Sequence, residues 1–226
     1  MEKNLLIFGA TGYLGSRITK ILCEKDYKSV FLFARDLSSL EHDERITAIK
    51  IKDFSVEENV TSAFSHIIPD RSAFYFLIST IGGYIGGKSV KETAYKDWLT
   101  LQKNNLNASF LLAKHFSRLV EHSSGGSICF IGARAGLFPE RNNAAYGISK
   151  SGLNYLTKVL ALEGKSYNLS ANTIAPYIID SPENREWVKD KSEMVDPDKI
   201  AELVHGIFTK YDTLTGNIFE IPFTIT

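Results

Sequence analysis

Tyr146 and Lys150 stand four positions apart in the run Tyr-Gly-Ile-Ser-Lys. On a helix of about 3.6 residues per turn, that spacing sets both side chains on one face. An ammonium beside a phenol favours the phenolate and draws down a pKa that is otherwise about 10. The pair therefore reads as a proton donor and acceptor usable at neutral pH. Its plain alternative is an ordinary surface pair, so the reading depends on what else the chain brings to the same place.

The first element that could position a ligand there begins at the N-terminus. Residues 3–8 form a short apolar run, suited to a strand buried on both faces. Gly9-Ala-Thr11-Gly12-Tyr13-Leu14-Gly15 follows, and residues 16–25 carry apolar Ile18, Ile21 and Leu22 at helical spacing. Strand, glycine turn and helix in succession is the context of a phosphate-cradling loop. Glycines admit the backbone to a pyrophosphate, and the helix N-terminus offers free N–H groups and a positive dipole end. A tight turn with no ligand is the competing reading.

Residues 29–34 make a second strand, ending in Ala34-Arg35-Asp36. An NAD site carries an acid at that place for the ribose 2′-hydroxyl, whereas an arginine suits a 2′-phosphate. Arg35 therefore points to NADPH, and Asp36, a place or two further on, leaves NADH as the alternative. A third strand, 46–51, leads to Asp53-Phe54-Ser55, where Asp53 can accept from an adenine amino group and Ser55 can cap a helix over 56–68. A fourth strand, 73–79, runs into a loop with Gly82, Gly83, Gly86 and Gly87, again suited to close backbone approach.

Residues 97–120 read as one long helix, interrupted by Asn104-Asn105-Leu106-Asn107. Asparagine is a mediocre helix former, so that cluster calls for a reason. Strands at 126–131, 170–175 and 216–222 alternate with helices at 144–163 and 196–208. Strands alternating with helices along the whole length imply a parallel sheet covered on both faces, in one α/β domain over residues 1–226.

Composition narrows the function. Lys+Arg and Asp+Glu both number 26 in 226 residues, so no basic face invites nucleic acid or an anionic membrane. Apolar residues make up 44% and charged ones 23%, as in an ordinary globule. No signal segment or bilayer-length apolar run is visible, and Cys23 and Cys129 read as buried free thiols, so a cytoplasmic setting is expected. His42, His66, His115, His122 and His205 lack metal-ligand spacing, and no metal site is expected.

The glycine loop, Asp53, the Asn105-Leu106 pair, Tyr146/Lys150 and the Asn172-Thr-Ile-Ala-Pro176 turn resemble, in order and spacing, the short-chain dehydrogenase/reductase family. The resemblance covers essentially the whole chain. It implies a Rossmann-type doubly wound seven-stranded sheet and an NAD(P)H-dependent reductase. By position, Tyr146 would be the acid/base, and Lys150 would hold the nicotinamide ribose and tune Tyr146. Asn105 would anchor a proton-relay water, while the Ile179 backbone and Ser181, beyond Pro176, would meet the carboxamide. The family's habit of pairing two long helices across an interface implies a homodimer or homotetramer, here through 101–116 and 144–162.

Three positions depart from the family pattern. The glycines are spaced Gly-x-x-Gly-x-x-Gly, Tyr177 replaces a glycine, and Ala133 occupies the place of the catalytic serine, thirteen residues before Tyr146. Alanine cannot donate to a substrate oxygen, an effect of roughly a few kcal/mol on a developing alkoxide. The dihydropteridine reductase branch shares that alanine. It also resembles Phe8-Gly-Ala-Thr-Gly-Tyr-Leu-Gly-Ser-Arg17, Gly82-Gly-Tyr-Ile-Gly-Gly87, Gly132-Ala-Arg-Ala135 and the segment Asp180-Ser-Pro182. The expected substrate is then a small carbonyl or a conjugated imine such as quinonoid dihydropterin. Tyr84, Phe138, Tyr177 and Trp187 are candidate aromatic walls for it. The alternative from Ala133 is a nucleotide-binding or sensing protein with weak chemistry.

Overall fold

Apolar runs with little polarity on either side become the central strands of the sheet. In the computed structural model, which describes residues 2–40 and 43–224, β1 (Glu2–Phe8), β4 (Ala73–Ser79), β5 (Gly125–Ile131) and β6 (Leu169–Pro176) carry the deepest burial. His42 lies outside the described residues. With β2 (Ser29–Ala34), β3 (Ile46–Lys50) and β9 (Ile218–Ile221) these strands form one seven-stranded parallel sheet in the order β3-β2-β1-β4-β5-β6-β9. The expected doubly wound Rossmann-type sheet is the observed one. The chain winds outward from β1 to β3 and then returns past β1 to β4, so a crevice opens between the carboxyl ends of β1 and β4.

Alternation along each strand divides the core in two. Leu6 and Phe8 point to one face with Phe33, Leu77 and Phe130; Leu5 and Ile7 point to the other with Phe76 and Ile78. On the first face lie α2 (Glu57–Phe64), α4 (Ala108–Val120) and α5 (Ala144–Glu163). On the second lie α1 (Tyr13–Cys23) and α7 (Pro197–Thr209), joined through Arg17, whose Nε donates to Asp198 Oδ1 at 2.7 Å. Each fully buried Leu, Ile or Phe here contributes about 1.5–3 kcal/mol relative to exposure. Asp196 caps α7, accepting from the Asp198 N–H at 2.8 Å, and Pro197 occupies the first turn, where a missing N–H costs nothing.

The expected helix over 97–120 is three pieces: α3 (Tyr95–Leu101), a π-helical turn (Gln102–Asn107) and α4. The asparagine cluster falls on the π turn, which carries an extra residue per turn and re-aims the side chains within it. The helix expected over 56–68 is only α2: Ser55 bonds Asp53 and leaves Val56 as an N-cap without a side-chain bond. Past Phe64 the chain tightens into turns, the His66 N–H donating to the Ala63 carbonyl and the Ile67 N–H to the Phe64 carbonyl. Between β6 and α7 lie a short parallel ribbon, β7 (Ile178–Ile179) with β8 (Met194–Val195), and α6 (Pro182–Arg185). Both cysteines are free; Cys129 is buried, but Cys23 is only partly so, against expectation. Among the described residues no helix is long and apolar enough to cross a membrane.

Candidate active site

The glycine loop closes on itself at the end of β1. Gly9 has φ +86°, and its N–H donates to the Phe33 carbonyl at 2.8 Å, tying the loop to β2. A Cβ on Gly15 would lie 1.9 Å from the Gly9 carbonyl oxygen, so only glycine lets α1 start this close to the strand. Thr80, at the end of β4, braces the loop from below, its hydroxyl 3.1 Å from the Gly9 oxygen. Sequence reasoning missed Thr80, because nothing local ties it to residue 9.

Gly12 caps α1 with no side-chain acceptor, so the first N–H groups of that helix face the crevice unclaimed by any side chain. They open onto a cleft of about 520 Å³ lined by Gly9, Thr11, Gly12, Tyr13, Leu14, Gly15, Arg35, Asp53, Phe54 and Gly82. Free amide donors, a positive helix end and glycines that bring the backbone close fit a dinucleotide's pyrophosphate. Arg35 and Lys52 line the far end, and neither has an ion-pair partner among the described residues. Asp36 also lines this cleft, but its Oδ1 accepts from the Ser38 N–H at 3.1 Å, and the Ser38 bonds, followed by the charge of Lys50, hold its carboxyl below the usual range. Asp53 accepts from the Ser55 N–H and hydroxyl and pairs with Lys103 at 2.8 Å. The Lys103 contact, then the Ser55 bonds, hold its carboxyl down to about 2.

The cleft continues inward through Leu14, Thr80, Ile81 and Gly82 into a second chamber of about 440 Å³. Tyr146, Lys150, Pro176 and Ile179 line this inner part, together with Ala133, Tyr84, Tyr177 and Trp187. Phe138 does not join them; it packs under the Arg134 guanidinium, 5.0 Å from its ring centroid. Ser181, expected at the carboxamide, lines neither chamber and instead caps α6, accepting from the Asn184 N–H at 3.2 Å. Asn184 in turn donates to the Ile179 carbonyl at 2.8 Å.

Tyr146 and Lys150 do share the inward face of α5. The Tyr146 ring meets the Tyr84 ring edge-to-face at 4.9 Å, and Lys150 Nζ lies 5.9 Å from the Tyr146 centroid. The expectation that Lys150 draws the phenol down fails in this structure. Burial, followed by the charges of Tyr84 and Glu140, pushes the Tyr146 phenol above its ordinary value, and burial alone lowers Lys150 to about 8. Asn105 is fully buried behind the chamber. Its Oδ1 accepts from the Gly83 N–H at 2.7 Å, and its Nδ2 donates to the Gly83 carbonyl and to Ser149 Oγ. The π turn thus aims Asn105 at the glycine loop beyond β4. A Cβ on Gly82 would come within 3.0 Å of Asn105 Oδ1 and 3.1 Å of Lys150 Nζ, so the three residues meet at one point.

Crevice, glycine loop and buried Tyr–Lys–Asn group together define a class. Residues 3–192 match the family profile described as short chain dehydrogenase. The chain belongs to that family, and by class it is an NAD(P)-dependent oxidoreductase. It is 27% identical over 192 residues to dihydropteridine reductase of Dictyostelium discoideum, covering 84% of this chain and 80% of that one. It is 26% identical over 231 residues to carbonyl reductase family member 4 of Xenopus tropicalis, covering 98% and 97%. Its fold matches the solved structure of ElxO with NADP bound at a TM-score of 0.83 and 20% identity, covering 98% of this chain and 97% of that one.

Proposed function

We propose that the protein reduces a small carbonyl or conjugated imine with NADPH, and that quinonoid dihydropterin is the substrate to test first. The observation that carries this is Ala133 lining the inner chamber with Tyr146, so that residue 133 supplies no hydroxyl as a second donor. The bound dinucleotide supplies a hydride. The free N–H groups at the start of α1 hold its pyrophosphate, and Arg35 takes the 2′-phosphate. Tyr146 holds a proton at Oη and delivers it to the substrate atom that gains charge. Lys150, its ammonium fixed on the Ile131 carbonyl at 2.9 Å, keeps a positive charge beside that transfer. Tyr84, Tyr177 and Trp187 supply aromatic walls that orient a flat ring.

With Ala133 the chamber offers one donor fewer than a serine-bearing site, which disfavours a simple ketone. A conjugated imine is already electrophilic, so positioning and one proton donor suffice. The likeness to a protein named dihydropteridine reductase supports this choice. Ala133 also motivates the competing reading, a protein that binds the nucleotide and has lost the chemistry.

The test is the initial rate of NADPH and NADH oxidation with quinonoid dihydropterin. Turnover well above that with simple ketones is expected, faster with NADPH. Cofactor binding without turnover would overturn the dihydropterin assignment. A companion Ala133→Ser variant should gain ketone reduction. We further propose a homodimer built on the outward faces of α4 and α5.

A further inference from the structure

We infer that the Glu140 carboxylate, held in the inner chamber by Asn143, selects substrates that present adjacent N–H donors along one ring edge, as the amino group and neighbouring ring N–H of a 2-aminopyrimidin-4-one do. The inference rests on the inner chamber being the substrate end of the site. Glu140 is the only carboxylate lining that chamber among the described residues, and Lys150 is the only lysine or arginine. The Lys150 ammonium is already committed to the Ile131 carbonyl. The remaining wall is mainly aromatic and aliphatic, with Thr80, Asn184 and the tyrosine hydroxyls as neutral polar groups, so Glu140 is its one negative side chain.

Asn143 fixes how that group is presented. Its Nδ2 donates to Glu140 Oε2 at 2.7 Å. A carboxylate only accepts, so the amide must turn Nδ2 toward Glu140 and its own Oδ1 away. That Oδ1 is buried with no hydrogen-bond partner, and Asn143 is 9% exposed. Leaving a buried carbonyl oxygen unpaired is costly, and the structure carries that cost in the same contact that holds Glu140. No lysine, arginine or histidine among the described residues pairs with Glu140. Its charge reaches the chamber nonetheless: after burial, it is among the causes that raise the Tyr84 and Tyr146 phenols.

A carboxylate with one donor keeps most of its acceptor sites free. Two parallel N–H groups on a ligand edge match its two oxygens, and charge-assisted pairs of this kind are the strong ones. A ring whose edge carries carbonyl oxygens instead would bury the carboxylate against acceptors and be rejected. The chemistry selected is thus an amidine-like or amino-heterocycle edge.

The experiment uses binding, so that it does not depend on turnover. NADP-loaded protein is titrated with pterin, whose 2-amino group and ring N3–H are adjacent donors, and with lumazine, in which a carbonyl replaces the 2-amino group. The readout is quenching of Trp187, which lines the chamber. Wild type should bind pterin roughly tenfold or more tightly than lumazine. Glu140→Gln, which keeps the shape and can still accept from Asn143, should bring the two affinities close to equal; an NADPH titration checks that its cleft is folded. A wild-type ratio near one, binding of neither ring, or a ratio that survives in Glu140→Gln overturns the inference. If the ratio depends on Glu140 but quinonoid dihydropterin is not reduced, the substrate assignment falls and this inference stands.

Discussion

Lys150 donates its Nζ to the Ile131 carbonyl at the end of β5, 2.9 Å away. The ammonium is therefore anchored to the sheet and not to its helical neighbour Tyr146. Helix spacing gives the two side chains a common face, but the buried carbonyl at the strand's carboxyl end decides where the charge rests. Burial then sets both groups: it raises the phenol and lowers the amine.

Removing the phenol oxygen alone tests the proton's source. Tyr146→Phe keeps the ring against Tyr84 and should lower turnover at least about a hundredfold. Cofactor affinity should stay nearly intact. Steady-state kinetics with a fluorescence titration would show both, and unchanged turnover would remove Tyr146 from the role.

Arg35 lines the outer cleft with no acidic partner, whereas Asp36 is occupied by Ser38. Arg35→Ala should weaken NADPH binding by about tenfold to a hundredfold, the worth of a charge-assisted bond, and leave NADH nearly unchanged. Calorimetric titration with both cofactors measures this. Equal losses would mean that Arg35 does not meet a 2′-phosphate.

The lowered Lys150 pKa makes stability pH-dependent. Between about 8 in the folded chain and the ordinary lysine value near 10.4, the unfolded chain binds more protons than the folded one. This site's contribution to stability therefore rises with pH through that window, and the burial penalty is fully present below it. Lys150→Met removes the titration. Denaturant midpoints of the ligand-free protein at pH 7.5, 8.5 and 9.5 should climb more steeply in wild type than in the variant. Parallel slopes would contradict the folded-state pKa.

The outward faces of α4 and α5 expose Phe110 at 54%, Tyr155 at 73% and Leu162 at 80%. An apolar surface of that kind on two long helices suits a second copy of the chain. Light scattering should give a homodimer, and Phe110→Glu should shift it toward monomer. A monomeric wild type would refute the interface.

Much of this site was legible in local pattern. The strand-glycine-helix succession at 3–25, the polar interruption at 104–107 and the Tyr146–Lys150 spacing each depend on residues near one another in sequence. Periodicity and backbone sterics act at that range. The asparagine cluster signalled a disturbed helix, but not that the disturbance would be a π turn aiming Asn105 at Gly83. Ser181 matched its family position, yet its hydroxyl was taken by the nearer Asn184 N–H.

By itself, then, the sequence determined the parallel α/β architecture, the crevice at β1 and the residues assembled around it. Only the tertiary structure decided their electrostatics. The Lys103–Asp53 pair, the Lys150–Ile131 bond, Thr80 beneath Gly9 and the unpaired Glu140 all join segments or surroundings that no sequence window contains. Charge and hydrogen bonding depend on burial and on distances of a few ångströms, and those exist only once the chain has closed on itself.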